Sequence, residues 1–170
     1  MKSKCCAVIG SLPVFFPWGL DEEDERCDTL KAQLLEQIAS AIINGVRDFA
    51  VVMDYGWGLY AAEMINDLME GNDNIRLTCI IPWEEQAAKW TPELRERYFK
   101  VQEKCAEAVL ISQQQTVDCE ITAMLDAVDM ADTVIAIYGE GDVLLPVALR
   151  YTNGLNKAVV VINSDSFPVL

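Results

Sequence analysis

Six short apolar runs rich in valine and isoleucine recur along the chain, and five of them are followed by a segment with helical periodicity. The runs are continuously apolar instead of alternating, which is typical of strands covered on both faces in a parallel sheet. They occupy residues 5–9, 49–53, 77–81, 108–111, 133–137 and 158–162. This alternation predicts an α/β fold in which a doubly wound, mainly parallel sheet of about six strands carries helices on both faces.

The clearest helix has Leu30, Leu34 and Ile38 on one stripe and ends at Asn44-Gly45, a pair typical of helix C-termini. The acidic stretch 21–25 is predicted to open this helix, because its charge suits the positive end of the helix dipole. A solvated face is the alternative interpretation of that stretch. Further helices are predicted to begin near Leu59, Thr91-Pro92, Cys119 and Leu144.

The chain has 170 residues, a length typical of one domain, and no linker or repeat divides residues 1–170. Its 13 Lys and Arg residues against 27 Asp and Glu residues give a net charge of −14. Such a charge repels both phosphate backbones and anionic lipid headgroups. We therefore expect neither nucleic acid nor a membrane surface as a partner.

The sequence contains no histidine. Because His is the side chain that titrates near neutral pH and the commonest metal ligand, Ser-His-Asp, Cys-His and His-metal chemistry are all excluded. Carboxylate, thiol, tyrosine or backbone chemistry remains, as does binding without any reaction.

The six cysteines include no C-x-x-C pair, and we interpret them as mostly buried small hydrophobic side chains. Near the N-terminus an apolar run follows two lysines, but Pro13 and Pro17 interrupt it, which argues against a secretory signal peptide. We therefore expect a cytoplasmic protein.

Open α/β sheets bind ligands outside the carboxyl ends of their strands. The segments that follow the first five predicted strands are rich in glycine and aromatic residues, and they are 10–13, 54–58, 82–86, 112–115 and 138–142. The candidate ligand-binding residues are Gly10, Ser11, Gly56, Trp57, Gly58, Trp83, Glu84, Gln86, Ser112, Gly139 and Gly141. Glycines there allow backbone amides to approach an anion, and tryptophans can stack on a planar base. The alternatives are tight turns for the glycines and core or subunit-interface packing for the tryptophans.

The segments lack both the G-x-G-x-x-G dinucleotide motif and the P-loop motif, and none of the 13 basic residues lies within them. A polyphosphate would therefore need a metal or backbone amides alone. We expect a small-molecule ligand, with a nucleotide-derived compound and Mg²⁺ as the options for a cofactor.

Carboxylates are the remaining candidates for acid–base or Mg²⁺-assisted catalysis. Asp126, Asp129 and Asp132 recur at helical spacing, which places them on one face, although a solvated face is the alternative. Glu84 follows the third strand, and Glu63 lies about one turn into the second helix. The weak catalytic candidates are accordingly Glu63, Glu84 and Asp129.

Several motifs suggest a family. The first strand ends in a Gly-polar-x-Pro turn at 10–13, and the second leads through Gly56 into Tyr-Ala-Ala-Glu at 60–63. Ile-Pro-Trp-Glu-Glu-Gln at 81–86 precedes Arg-Glu-Arg-Tyr at 95–98. These stretches resemble the YpsA-like branch of the SLOG superfamily, which also contains the lonely-guy proteins and the Rossmann-like domain of the Smf DNA-processing proteins. The resemblance implies a single Rossmann-like domain, a site for nucleotides or nucleotide-derived molecules, and homo-oligomers.

The chain departs from that family in its polar ligand motifs. The usual Thr-Gly-His-Arg is Ile-Gly-Ser-Leu at 9–12, which keeps the glycine and loses both cations. The usual Ser-Gly-x-Ala-x-Gly-x-Asp is Val-Val-Met-Asp-Tyr-Gly-Trp-Gly at 51–58, and the usual Gly-Gly-Thr is replaced around 142–144. The P-G-G-x-G-T-x-x-E pattern of lonely-guy enzymes is absent. Phosphate binding and glycosidic-bond hydrolysis are therefore expected to be weak or lost.

Three hypotheses follow. The first is a protein that binds a nucleotide-derived or other planar small molecule at the carboxyl edge of the sheet. The second is a non-catalytic homo-oligomeric or regulatory module whose aromatic rim is buried against another subunit. The third is a carboxylate-dependent hydrolase acting on a nucleotide glycosidic or phosphoanhydride bond.

Overall fold

A computed structural model describes residues 3–163 of the chain. Strands and helices alternate along it, with a short 3₁₀ helix at Pro13–Phe15 after the first strand. The strands are β1 (Lys4–Gly10), β2 (Val46–Val52), β3 (Arg76–Trp83), β4 (Glu107–Ser112), β5 (Thr133–Tyr138) and β6 (Ala158–Asn163). The helices are α1 (Glu25–Ile43), α2 (Trp57–Met69), α3 (Pro92–Lys104), α4 (Cys119–Met130) and α5 (Leu144–Gly154).

The six strands form one sheet in the order β4-β3-β2-β1-β5-β6, and every neighbouring pair is parallel. The chain builds outward from β1 to β4, then crosses back through α4 so that β5 lies on the other side of β1. The strand order therefore reverses between β1 and β5, where open α/β sheets commonly hold their ligands. The predicted doubly wound, parallel α/β fold is confirmed.

Two hydrophobic cores lie on opposite faces of the sheet, and consecutive residues of the central strands alternate between them. In β1, Cys6 and Val8 pack into the core formed with α1, α2 and α3, whereas Ala7 and Ile9 pack into the core formed with α4 and α5. The central strands are therefore buried on both faces, as their continuous hydrophobicity predicts.

The edge strands differ from that prediction. Both β4 and β6 leave most of their residues exposed or half-buried, including Leu110, Val160 and Val161. Their sequences are as apolar as those of the central strands, but an edge strand has a neighbour on one side only. Local composition carries no information about that position in the sheet.

The helix boundaries follow the predicted signals closely. Asp24 caps α1 by accepting a hydrogen bond from the Arg26 amide, and the helix is followed by Gly45 in the left-handed region with φ 100°. Thr91 caps α3 with its hydroxyl oxygen, and Pro92 occupies the first turn. By contrast, β2 begins three residues before its apolar run, because Arg47 and Asp48 are half-buried at its start.

Four of the six cysteines, Cys6, Cys27, Cys79 and Cys119, are buried, as expected of small hydrophobic side chains. No helix within residues 3–163 combines the length and apolar character needed to cross a bilayer.

Candidate ligand-binding site at the carboxyl edge of the sheet

A cavity of about 340 Å³ lies at the carboxyl ends of β1, β2 and β3, beneath the first turns of α4 and α5. Its lining is mostly apolar. The residues that form it are Gly10, Leu12, Phe15, Val52, Met53, Asp54, Tyr55, Pro82, Trp83, Gln86, Trp90, Glu120, Met124, Asp142, Val143 and Leu144. The volume falls at the lower end of the range for small-molecule sites, roughly 300–1,000 Å³.

Aromatic side chains form one side of the cavity. Trp83, at the end of β3, is half-buried, and so is Trp90 in the loop before α3. The Trp90 ring packs edge-on against Tyr55 at 5.7 Å and against Tyr98 at 5.0 Å between ring centroids. Gln86 is buried beneath this group and donates a 3.0 Å hydrogen bond from Nε2 to the Tyr98 hydroxyl. Helix α3 therefore supports the aromatic side of the cavity through Tyr98, which contacts both Gln86 and Trp90.

Asp54 occupies the turn between β2 and α2. Its Oδ1 accepts hydrogen bonds from the backbone amides of Gly56 and Gly58, at 2.7 and 3.0 Å, so the carboxylate caps the start of α2. The side chain is only 7% exposed. Burial raises the pKa of Asp54 to about 7, the two amide hydrogen bonds oppose that rise, and the negative charge of Glu120 adds to it.

A second carboxylate caps α5. Asp142 is buried, and its Oδ1 accepts a 2.9 Å hydrogen bond from the Leu144 amide. Its Oδ2 accepts a 2.6 Å hydrogen bond from the hydroxyl of Ser11, whose oxygen in turn accepts the Gly139 amide at 3.0 Å. The starts of α2 and α5 are therefore capped by side chains of the protein itself, whereas Asp118, the N-cap residue of α4, forms no capping hydrogen bond with its side chain.

Glu120, in the first turn of α4, is the third carboxylate on the cavity lining. Burial raises its pKa, and the negative charge of Asp142 raises it further. Among residues 3–163, no lysine or arginine contributes to the lining. No group of three or more Asp, Glu or Cys residues within 3–163 is arranged to hold a metal ion, so the three carboxylates line the cavity without converging on one point.

Close packing accounts for three glycines of the post-strand loops, Gly10, Gly58 and Gly139. A Cβ added at Gly58 would lie 2.1 Å from the carbonyl oxygen of Val52, and one at Gly10 would lie 2.8 Å from Cβ of Trp57. A Cβ at Gly139 would meet Phe15 at 2.7 Å. These positions require glycine because loops and helices approach one another closely, whether or not a ligand is bound.

Three of the predicted ligand-binding residues, Gly10, Trp83 and Gln86, line the cavity. The others lie nearby without forming its lining: Ser11, Gly56, Trp57, Gly58, Glu84, Ser112, Gly139 and Gly141. Trp57 is 1% exposed and packs against Phe16 and Tyr60. Trp18 is also buried and packs against Phe16. The four tryptophans thus divide into two in the core and two at the cavity.

The weak catalytic candidates are not brought together. Glu63 accepts two hydrogen bonds from Arg97 on α3, at 2.7 and 3.1 Å. Asp129 accepts a 2.6 Å hydrogen bond from the Tyr151 hydroxyl, and Glu84 is exposed. Asp132 binds the Cys5 amide at the start of β1. None of these carboxylates lines the cavity.

The three cavity carboxylates were not singled out by sequence reasoning as binding residues. A local signal exists for Asp54, because an Asp placed two and four residues before glycines after a strand is typical of a side-chain cap. Glu120 and Asp142 carry no such signal for the cavity, because they come from α4 and the α5 entry and only the tertiary fold places them beside Asp54.

A comparison with known protein families tests the family membership that the sequence motifs suggest. The family model described as the YspA SLOG family matches residues 18–141, which is more than half of the chain. The chain belongs to the YspA SLOG family. No curated protein matches it significantly.

The SLOG match begins before α1 and ends in the loop after β5, so it includes the cavity residues contributed by β2, β3 and α4. Gly10, Leu12 and Phe15 on one side, and Asp142, Val143 and Leu144 on the other, lie outside the matched span. The cavity of this SLOG protein is thus formed partly by segments that flank the matched region.

Proposed function

We propose that this SLOG protein binds a planar small molecule that carries no phosphate group, such as a nucleobase or a nucleoside-like compound, in the carboxyl-edge cavity. The observation that supports the proposal is the combination of an aromatic, mostly apolar cavity with the starts of α2 and α5, which are already capped by carboxylates. Trp83, Trp90 and Tyr55 offer ring surfaces for stacking, and Gln86 lies at the same side.

The electrostatics of the cavity argue against a phosphorylated ligand. Backbone amides at helix starts are the usual donors for phosphate in this class of fold. Here the Gly56 and Gly58 amides are bound to Asp54, and the Leu144 amide is bound to Asp142. At these two helix starts a phosphate dianion would have to displace a carboxylate from its donors, and the described residues of the lining include no cationic side chain.

The experiment is a fluorescence titration of the intrinsic tryptophans with matched ligand series. Adenine, guanine, cytosine and uracil are compared with their nucleosides and with the corresponding 5′-monophosphates. We expect at least one base or nucleoside to bind with a dissociation constant below 1 mM, which is about −4 kcal/mol of binding free energy. The matching monophosphate should bind at least tenfold more weakly.

Two variants localise the binding. Trp83→Ala removes a ring from the cavity lining and should weaken binding at least fivefold. Phe99→Ala removes an exposed ring from α3 outside the cavity and should leave the affinity unchanged. Absence of binding across the whole series, or tighter binding of a monophosphate than of its nucleoside, would overturn the proposal.

We further propose that the protein self-associates through an edge of the sheet. The exposed apolar residues Val160 and Val161 lie on β6, which is an edge strand of the sheet formed by the described residues. Light scattering coupled to size-exclusion chromatography tests this. A mass of 38 kDa, twice the 19.0 kDa of one chain, that falls to 19.0 kDa in Val160→Lys would support it; a monomer at high concentration would refute it.

A further inference from the structure

The cavity presents negative charge together with aromatic surface, and this combination points to the charge of its ligand. We propose that the cavity selects a planar ring carrying a positive charge, such as a quaternised or protonated nitrogen heterocycle, with the charge directed toward Asp54, Glu120 and Asp142. The inference rests on the proposed function and specifies the chemical class of the molecule bound there.

The three carboxylates come from three separate elements. Asp54 follows β2, Glu120 lies in the first turn of α4, Asp142 precedes α5, and all three line the cavity. They interact electrostatically, since Glu120 acts on Asp54 and Asp142 acts on Glu120. Burying like charges together is unfavourable, and a cation placed among them would relieve that repulsion.

One carboxylate oxygen of Asp54 remains available to a ligand. Its Oδ1 receives both amide hydrogen bonds, whereas its Oδ2 receives none from the residues described. The side chain is more than nine-tenths buried and lines the cavity. A carboxylate oxygen of a buried residue that lines the cavity and accepts no hydrogen bond from the described residues favours a ligand that supplies an N–H group or a positive charge.

The aromatic side of the cavity favours the same class of ligand. Tryptophan rings attract cations more strongly than other aromatic side chains do, and Trp83 and Trp90 both line the cavity beside Tyr55. A flat cationic ring can therefore stack on an indole while its charge faces the carboxylates. A neutral ring gains the stacking alone.

Because Asp54 titrates, the affinity of the cavity for a cationic ring should depend on pH. Among the described residues, the charged or titratable groups around Asp54 are Tyr55 in its own loop, Tyr60 on α2, Glu120 on α4 and Asp142 at the α5 entry. No cationic side chain of this part of the chain lines the cavity to counter them. Burial raises the pKa of Asp54 to about 7. A cation binds the ionised carboxylate better, so its affinity rises as the pH increases from 6 to 8.

The test compares quinoline, which is neutral from pH 6 to 8, with N-methylquinolinium, which has the same ring system and a fixed positive charge. Isothermal titration calorimetry with the full chain measures both at pH 6, 7 and 8. We expect N-methylquinolinium to bind at least tenfold more tightly at pH 8, and its affinity to increase at least threefold from pH 6 to pH 8. The affinity of quinoline should stay constant.

Isosteric variants assign the effect to the carboxylates. Asp54→Asn should abolish the pH dependence of N-methylquinolinium binding, and Glu120→Gln should reduce the preference for the cation at least threefold. Glu85→Gln changes the net charge by the same amount at an exposed position outside the cavity, and should leave the preference unchanged.

The outcomes separate the two proposals. Equal affinities for both rings, or a preference for quinoline, would overturn the selection of a cation and leave the binding of planar molecules in place. Failure of both rings to bind at millimolar concentration would overturn both. A cation preference that persists in Asp54→Asn and Glu120→Gln would show that the carboxylates are not its source.

Discussion

The hydroxyl of Ser11 donates a 2.6 Å hydrogen bond to Oδ2 of Asp142, although the two residues are 131 positions apart in the chain. Both side chains are buried. Ser11 follows β1 and Asp142 follows β5, so the bond joins the loops on the two sides of the point where the strand order reverses. Because Asp142 also caps α5 and lines the cavity, this contact positions one side of the candidate site.

Replacing Ser11 by alanine should destabilise the fold. The substitution leaves Oδ2 of Asp142 and the Gly139 amide without their partner in a buried setting, at a cost of about 1–3 kcal/mol. Urea unfolding followed by circular dichroism measures the change. The matched control Ser40→Ala lies on an exposed position of α1 and should change stability by less than about 0.5 kcal/mol. Equal effects in both variants would contradict the role assigned to the Ser11 hydroxyl.

The stability of the protein should depend on the ionisation of Asp54. Burial raises its pKa from the ordinary 3.8 to about 7, so between these values the folded state binds more protons than the unfolded state. The stabilising contribution is therefore complete below pH 4 and is lost as the pH rises to 7, by a few kcal/mol in total. Asp54→Asn retains an oxygen for the Gly56 and Gly58 amides but cannot titrate.

Unfolding free energies of the wild type and Asp54→Asn, measured from pH 4.5 to 8, test this prediction. The difference between the two proteins isolates Asp54, because every other carboxylate titrates in both. The wild type should lose stability relative to the variant as the pH increases. A difference that stays constant over this range would show that the folded-state pKa of Asp54 is not raised.

Arg97 should be a major source of stability on the α1–α3 face. Its guanidinium donates to Glu22 at 2.7 and 2.9 Å and to Glu63 at 2.7 and 3.1 Å, and thereby ties the segment before α1 and helix α2 to α3. The group is half-buried, so solvent screens it only in part. Arg97→Ala should cost about 1–3 kcal/mol, because two neighbouring carboxylates lose their shared counter-charge.

Two companion variants test the geometry of this network by thermal or chemical unfolding. Arg97→Lys keeps the charge but cannot bridge two carboxylates with a planar fork, so an intermediate loss is expected. Arg95→Ala, on an exposed position of the same helix, should be nearly neutral. A full recovery of stability in Arg97→Lys would indicate that charge alone matters.

Gly58→Ala should be strongly destabilising. The added Cβ would lie 2.1 Å from the Val52 carbonyl oxygen, a backbone atom that cannot move without disturbing the end of β2. We expect a loss above about 3 kcal/mol or a failure to fold, measured by unfolding or by soluble yield. Gly154→Ala is the control, because that Cβ meets no atom within 4 Å and alanine favours the helix. A tolerated Gly58→Ala would mean that α2 does not approach β2 this closely.

Much of the fold was predictable because its signals are local. Continuous apolar runs identify strands buried on both faces, and the caps at Asp24 and Thr91 mark helix starts within one or two residues. The parallel order then follows from the alternation of strands and helices. The exposure of β4 and β6 was not predictable, because edge and central strands of a parallel sheet have the same composition.

The sequence predicted where the site lies, at the carboxyl edge of the sheet, but it predicted only some of the residues that line the cavity. Trp57 and Trp83 both come near strand ends, and nothing in their local sequence distinguishes them. The register of β3 and the start of α2 at Trp57 decide that Trp83 borders the cavity while Trp57 enters the core, since side-chain direction depends on where each element begins and what packs against it.

The sequence by itself determined an acidic α/β protein without histidine and without cations after its strands, because composition and periodicity are properties of the chain alone. Only the tertiary structure decided that Asp54, Glu120 and Asp142 share one aromatic cavity and that Ser11 meets Asp142. Parallel strands align their carboxyl ends at one edge, and this alignment brings together loops that are distant in the chain and whose contacts no local pattern encodes.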